Sequence, residues 1–167
     1  AGRVMAAKPA SVLAAGSGVV TRALAPQLAS TARYVVTDLN PGMLGRAQSV
    51  QSPGDRIEWQ QADALDLPFE DDSFDVVVCQ FGVMFFPDIV AGYAEAARVL
   101  KKGGVLIFNV WDDLDSNEIT KVVSEAVIEA FPDNPSEFLT RTPYAYNDVD
   151  QIQSELERAG VSDISIE

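Results

Sequence analysis

The stretch Ser11–Leu28, SVLAAGSGVVTRALAPQL, decides the fold that we expect for this chain. Its apolar start breaks at residues 16–18, GSG, and the apolar residues that follow recur at helical spacing. Two glycines separated by one residue let the backbone approach a ligand that a Cβ would block, and the following helix aims its free N–H groups at the same place. The stretch predicts a strand, a tight turn and a helix, with a nucleotide-like ligand at the turn. Thr21 stands where the dinucleotide-binding fingerprint has a third glycine, so a plain strand-to-helix turn is the alternative.

The composition limits the kinds of protein that the chain can be. Its 167 residues, 47% of them apolar and 22% charged, fit one soluble globular domain. A net charge of −13 repels nucleic acid, so we expect a small-molecule partner and no nucleic acid. No apolar run approaches about 20 residues, so we expect no membrane span. There is no histidine and the only cysteine is Cys79, which excludes His-based triads; we expect no metal site and a reducing, cytoplasmic location.

Strand and helix patterns alternate along almost the whole chain. The predicted strands begin at Ser11 and then occupy Ala32–Thr37, Arg56–Gln60, Phe74–Gln80, Val105–Val110 and Ser162–Ile166. The predicted helices are the tail Ala1–Lys8 and then Val19–Leu28, Asn40–Ala47, Ile89–Leu100, Asn117–Phe131 and Val149–Ala159. A turn at Lys101–Gly104 and a loop at Phe131–Tyr146 separate the later elements. This alternation predicts an α/β, Rossmann-like, doubly wound fold with a mostly parallel sheet and helices on both faces.

Five clusters of residues follow the predicted strands: 16–18, Asp38, Asp63, 80–82 and 109–111. Ligands of open parallel sheets sit outside the carboxyl ends of the strands, at the switch in strand order, so we expect these clusters to converge. Asp38 can accept hydrogen bonds from both hydroxyls of a ribose, and its alternatives are a solvated loop acid or a helix cap. Asp63 can accept from an exocyclic amine such as adenine N6, and its alternative is a loop acid.

Taken together, the ordered motifs resemble one family, the class I S-adenosylmethionine-dependent methyltransferases, in particular the small-molecule branch related to the ubiquinone/menaquinone methyltransferases. The motifs are VLAAGSGVVTRAL, VVTDLNPGML, QQADALDLPFEDDSFDVVVCQFGVMFFPD and RVLKKGGVLIFNVW, and they cover residues 11 to about 111. The resemblance implies a sheet of the seven-strand methyltransferase type, with the last strand absent from this chain. It also implies a single domain over residues 1–167, with the cofactor-binding half in 1–110 and a substrate-side insertion and C-terminal part in 111–167.

The resemblance implies S-adenosyl-L-methionine as the cofactor. The residues that it places around the methionine arm, the ribose and the adenine are Ala14, Gly16, Gly18, Asp38, Leu39, Met43, Asp63, Ala64, Gln80 and Phe81. In that arrangement Asp38 holds the ribose diol, while Asp63 and the Ala64 N–H contact the adenine edge. The glycines leave room for the methionine arm.

Aromatic and methionine side chains after the fourth and fifth strands suit a flat or lipophilic methyl acceptor. The candidate substrate contacts are Met84, Phe85, Trp111 and Tyr144, and ordinary core packing is the alternative for each of them. The methyl group already sits on a positively charged sulfur, so alignment in a dry pocket supplies most of the catalysis. Asp112, Asp113 and Tyr144 are the nearby groups that could remove a proton, and we assign no catalytic residue.

The chain departs from the family pattern at the end of the first strand, where an acidic residue is usual and this sequence has Leu13 and Ala14. We expect that about two residues, the acid among them, are absent between these positions. We also expect further chain before residue 1 and after residue 167. The departure leaves open a second class, a non-catalytic binding module. A third class, the NAD(P)-dependent oxidoreductases, explains the glycine turn and Asp38 but not Asp63 or the RVLKKGG motif.

Overall fold

The structure is a computed structural model that describes residues 9–52, 56–133 and 137–167. Its centre is a five-stranded, all-parallel sheet in the order β3-β2-β1-β4-β5. The strands are β1 (Ala10–Val12), β2 (Tyr34–Asp38), β3 (Glu58–Gln61), β4 (Phe74–Gln80) and β5 (Leu100–Asn109). The order reverses between β1 and β4, which creates the switch point that the sequence predicts.

Within the described residues, six helices connect the strands or follow them. They are α1 (Val19–Leu24), α2 (Pro41–Ser49), α3 (Ile89–Val99), α4 (Glu118–Ala130), α5 (Phe138–Arg141) and α6 (Val149–Arg158). Three of them begin at a side-chain cap, because Asn40, Asp88 and Asp148 each accept a backbone N–H from the first turn of α2, α3 and α6. The first helix stops earlier than predicted and continues as the 3-10 turn Ala25–Gln27, since Pro26 lacks the N–H that a longer helix needs.

Both faces of the sheet are covered, and β4 shows this best. Phe74, Val77 and Cys79 pack into the core under α3 and α6, while Val76 and Val78 point into the core under α1 and α2. A strand that is buried on both faces has no polar alternation, and the bounds predicted for this strand are confirmed. The doubly wound fold class is confirmed with it.

Three predictions about the later elements are wrong. The strand after α3 begins at Leu100, and the predicted turn at Lys101–Gly104 is an irregularity inside β5, where Leu100 pairs with Phe74 and Val105 already pairs with Val76. Gly103 absorbs this irregularity with a φ of 77°.

The predicted strand Ser162–Ile166 does not form. Asp163 takes a left-handed φ of 56°, which interrupts an extended segment, and the outer edge of β5 pairs with no other strand in the described ranges. The predicted loop after α4 contains the short helix α5. The predicted helix Ala1–Lys8 lies outside the described residues.

Candidate functional site

A cleft of about 220 Å³ opens at the carboxyl ends of β1, β2, β3 and β4. It is lined by Ala14, Asp38, Leu39, Ala62, Asp63, Ala64, Leu65, Gly82, Phe85, Phe86 and Pro87. The parallel register explains the convergence, because Asp38 pairs with Gln61 and Asp63 follows two residues later. The cleft brings together five predicted cofactor residues and one predicted substrate residue, which are Ala14, Asp38, Leu39, Asp63, Ala64 and Phe85. Its lining carries two carboxylates and, among the described residues, no basic side chain.

Asp38 links the glycine turn to the start of α2. Its Oδ2 accepts the Gly16 N–H at 2.7 Å, and its Oδ1 accepts the Asn40 N–H at 2.8 Å. The helix-cap alternative does not describe this carboxylate, because Asn40 is the residue that caps α2. Each carboxylate oxygen has a second lone pair, so Asp38 can still accept from ligand hydroxyls.

The two predicted glycines differ in what surrounds them. Both have positive φ, 55° at Gly16 and 77° at Gly18. A Cβ on Gly18 would lie 2.8 Å from the Ala47 Cβ, so this glycine is required for the close packing of α1 on α2. A Cβ on Gly16 would meet only the Met43 Cε, at 3.9 Å. The structure therefore gives Gly18 a role in helix packing and leaves space beside Gly16.

Asp63 heads a tight turn on the other side of the cleft. Its Oδ1 accepts the Leu65 N–H at 2.9 Å, and its carbonyl accepts the Asp66 N–H at 3.2 Å. The Ala62 N–H donates to the Asp38 carbonyl at 3.2 Å, which ties this turn to the end of β2. Leu39 lines the same cleft and is 63% exposed, which leaves an apolar surface available to a ligand.

A row of aromatic rings follows β4 and β5. The Phe81 N–H donates to Asn109, and the Phe81 ring stacks on Trp111 with centroids 4.1 Å apart and planes at 10°. Trp111 contacts Tyr144 at 5.9 Å, and the Tyr144 hydroxyl donates to the Thr120 Oγ1 at 3.0 Å. This aromatic row (Phe81, Trp111 and Tyr144) adjoins the cleft at Gly82 without lining it.

The remaining predicted residues lie outside the cleft lining. Four of the predicted cofactor residues are among them. Gly16 and Gly18 lie in the glycine turn, Met43 lies in α2, and Gln80 is the last residue of β4. Met84 is only 5% exposed and packs in the core, which is the alternative that the sequence left open. Ala62, Leu65 and Pro87 line the cleft and were not predicted, and no chemical feature of these apolar residues marks them in the sequence.

The pKa values of Asp113 and Cys79 are shifted in directions that make Asp113 a weaker base and Cys79 a weaker nucleophile. The Ser116 N–H holds the pKa of the exposed Asp113 carboxyl below its usual value. Burial raises the pKa of the Cys79 thiol to about 12, which keeps it neutral. Within the described part of the chain, no group of three acidic or cysteine side chains is placed to hold a metal ion, and no helix is long and apolar enough to cross a membrane.

A family profile described as "Methyltransferase domain" matches residues 12–108. The demethylmenaquinone methyltransferase of Clavibacter sepedonicus is 34% identical over 161 residues, which cover 91% of this chain and 64% of that protein. The ubiquinone/menaquinone biosynthesis C-methyltransferase of Brucella abortus is 32% identical over 123 residues, or 72% of this chain and 46% of that protein. This chain thus spans less than two thirds of the length of either relative.

Solved structures give the same result for the fold. The S-adenosylmethionine-dependent methyltransferase of Mesorhizobium loti superposes with a TM-score of 0.56 at 25% identity, over 62% of this chain and 47% of that one. The phosphoethanolamine N-methyltransferase 2 of Haemonchus contortus, solved with S-adenosyl-L-methionine, gives a TM-score of 0.70 at 20% identity, over 98% of this chain and 35% of that one. The chemistry of the cleft lining, two carboxylates with apolar side chains, suits the hydroxyls, amine and ring of adenosine. The chain belongs to the class I S-adenosyl-L-methionine-dependent methyltransferases, and S-adenosyl-L-methionine is its cofactor.

Proposed function

We propose that this chain binds S-adenosyl-L-methionine in the cleft between Asp38 and Asp63 and transfers its methyl group to a small-molecule acceptor. The observation that carries the proposal is the placement of both carboxylates in one cleft, together with the exposed Leu39. An acidic lining also suits a ligand with a positively charged sulfur, as does the net charge of −13.

The adenosine half of the site follows from the geometry of the two turns. Asp38 accepts from the ribose hydroxyls through the lone pairs that the Gly16 and Asn40 N–H groups leave unused. Leu39 packs against the adenine ring. The second oxygen of Asp63 accepts from N6, and the Ala64 N–H donates to N1.

The chain's own residues contribute mainly alignment and the exclusion of water. The bound cofactor supplies a methyl group on a cationic sulfur, which is already activated for transfer. The aromatic row, together with Phe85, forms the wall against which an acceptor is held in line, where correct orientation lowers the barrier most. No histidine is needed for this mechanism, and the proposal assigns no general base.

The acceptor that suits this wall is flat and apolar. Phe85 lines the cleft, is 52% exposed and lies near Phe138 of α5 with ring centroids 6.4 Å apart, so an exposed aromatic ring is available to an acceptor there. The Clavibacter relative is named for demethylmenaquinone, a molecule of this class. The single buried Cys79 and the acidic surface support a cytoplasmic enzyme that binds no nucleic acid.

Calorimetric titration tests the proposed function. We expect tight binding of S-adenosyl-L-methionine and S-adenosylhomocysteine, and release of S-adenosylhomocysteine when a planar phenolic or quinol acceptor is added. NADH serves as the control ligand, and tight binding of NADH in place of the sulfonium cofactor would favour an oxidoreductase. Binding without methyl transfer to any acceptor would favour a non-catalytic module.

The non-catalytic alternative is favoured by one observation, the absence of an acid after β1. Ala14 instead occupies the cleft there, with a left-handed φ of 49° that is unfavourable for alanine.

Inserting an aspartate and one apolar residue between Leu13 and Ala14 is therefore expected to strengthen cofactor binding by about tenfold or more, since one charge-assisted hydrogen bond is worth that much. An insertion of two alanines is the control. Equal affinity of both insertion variants would contradict the expected role of the acid.

A further inference from the structure

We propose that Glu95 and Arg98 of α3 act as positioning residues that hold Asp63 and Ala64 in place for the adenine ring. The inference rests on the proposed function, because it concerns the adenine side of the same cleft. Neither residue lines the cleft, so any effect on a ligand must pass through the chain that they hold. We call this pair the loop clasp.

The loop between β3 and β4, residues 62–73, has little regular secondary structure to fix its conformation. It forms no helix and no strand apart from a single bridge between Asp63 and Asp66. Leu67 is its only buried side chain, Ala62 and Phe69 pack partly against the core, and half of its twelve residues are exposed. A segment that lacks helix and strand hydrogen bonds and has few buried side chains samples more conformations unless other hydrogen bonds restrain it.

The loop clasp restrains this segment at consecutive points. The Glu95 Oε2 accepts the Leu67 N–H at 2.7 Å, and the Arg98 Nη2 donates to the Leu67 carbonyl at 2.9 Å. Arg98 Nη1 also donates to the Phe69 carbonyl at 2.7 Å and to the Asp71 carboxylate at 2.8 Å. The Arg98 carbonyl in turn accepts the Asp72 N–H at 3.1 Å. Both backbone groups of Leu67 are thus held by one ion pair.

The restraint reaches the cleft through a short turn. Leu67 follows directly after the turn in which Asp63 accepts the Leu65 and Asp66 N–H groups. The opposite end of the turn is fixed by the bond from the Ala62 N–H to β2. With both ends held, the Asp63 carboxylate and the Ala64 N–H keep a fixed direction relative to the cleft.

The chemistry of the clasp requires an arginine. Arg98 donates twice to Glu95, from Nε to Oε1 at 2.7 Å and from Nη2 to Oε2 at 2.8 Å, in addition to its three bonds to the loop. A lysine keeps the charge but has a single donor atom, which cannot reach two carbonyls and two carboxylates. The arginine also lowers the pKa of the Glu95 carboxyl, so both partners are charged at neutral pH.

The inference is tested by comparing how the wild-type chain and the Arg98→Lys variant discriminate between two ligands. We would measure the affinities of the wild-type chain and the variant for S-adenosylhomocysteine and for S-inosylhomocysteine, whose purine carries an oxygen in place of the N6 amine. The variant is expected to bind S-adenosylhomocysteine about fivefold to tenfold more weakly, the loss of about one hydrogen bond to a charged group. Its affinity for S-inosylhomocysteine is expected to change by less than about twofold, because that ligand has no donor at the 6-position, where the N6 amine of adenine would donate to Asp63. The preference for adenine therefore falls.

Lys101→Met is the matched control, since Lys101 forms an ion pair with Asp75 at 2.9 Å near the same edge of α3 but does not contact the loop. It is expected to keep the wild-type preference for adenine. If Arg98→Lys does not fold, Glu95→Gln is measured in its place. The glutamine amide has one accepting oxygen, so it cannot accept from Leu67 and Arg98 at both former carboxylate oxygens. The same fall in the preference for adenine is expected. An unchanged preference, or equal losses for both ligands, overturns the inference while the proposed function stands. A wild-type chain that binds neither ligand overturns both.

Discussion

Gly16 and Gly18 lie in one turn, share left-handed backbone conformations and should nevertheless respond differently to the same substitution. An alanine in the left-handed region of backbone conformation destabilises the folded state by about 1–2 kcal/mol, and this applies to both Gly16→Ala and Gly18→Ala. At Gly18 the new Cβ would also lie 2.8 Å from the Ala47 Cβ, too close for any contact between methyl groups. Such overpacking adds about 1–3 kcal/mol. We therefore expect the free energy of unfolding to fall by about 2–5 kcal/mol for Gly18→Ala and by about 1–2 kcal/mol for Gly16→Ala.

Urea denaturation and thermal melting followed by circular dichroism measure this difference. For a chain of this size about 1 kcal/mol shifts the melting temperature by about 2–4 °C, so Gly18→Ala should melt roughly 4–20 °C lower than the wild type. The double variant Gly18→Ala with Ala47→Gly removes the overlapping methyl group and should be less destabilised than the sum of the single variants. Equal destabilisation by the two single variants, or additivity in the double variant, would refute the packing role of Gly18.

Three further predictions concern single side chains. Asp38→Ala should weaken S-adenosylhomocysteine binding by about 1.5–3 kcal/mol in a calorimetric titration, because a charged acceptor for two hydroxyls is lost, and unchanged affinity would mean that the ribose acid is misassigned. Tyr146→Phe removes the hydroxyl that donates to the Glu155 Oε2 at 2.6 Å. The free energy of unfolding, measured by urea denaturation, should fall by about 1–3 kcal/mol. An unchanged free energy would show that this partly buried hydrogen bond does not stabilise the fold. Arg98 lowers the Glu95 pKa below its ordinary 4.5, so this carboxylate stabilises the fold above that pH and the stability is lost as the pH falls through the folded-state pKa. The stability difference between wild type and Glu95→Gln should therefore shrink in acid, and a constant difference from pH 7 to pH 3 would contradict the ion pair.

The central part of the fold could be predicted from the sequence because its strands are buried on both faces. The run at Phe74–Gln80 has no polar residue in its centre, residues 76–79, and the structure keeps its predicted bounds. Asp38 and Asp63 could be placed together from the parallel arrangement alone, since the carboxyl ends of β2 and β3 lie at one edge. Local pattern and topology were sufficient there.

Features that depend on distant contacts could not be predicted in this way. The early start of β5 is set by the pairing of Leu100 with Phe74, which no local pattern in the sequence indicates. The alternation after Ser162 indicates a strand, but a strand forms only beside a partner. Met84 has the composition of a ligand contact and lies in the core, since burial is decided by the packing of α3 and not by residue type.

Within the site, the role of each glycine in the turn also depends on a distant contact that the sequence does not indicate. A G-x-G pattern indicates that the backbone needs positive φ or close approach, but not which neighbour approaches. The structure identifies that neighbour as Ala47 for Gly18 and leaves Gly16 beside Met43 with room to spare. The loop clasp could not be predicted from the sequence either, because a strand and most of a helix separate Leu67 from Glu95 and Arg98 along the chain.

A crystal structure of this chain with S-adenosylhomocysteine bound tests the central claim most directly. We predict that both ribose hydroxyls lie within about 2.5–3.0 Å of the Asp38 carboxylate and that adenine N6 lies within about 2.7–3.2 Å of the Asp63 carboxylate. The ring should rest on Leu39. A ligand bound away from these three residues, or an adenine whose N6 faces solvent, would contradict the assignment of this cleft.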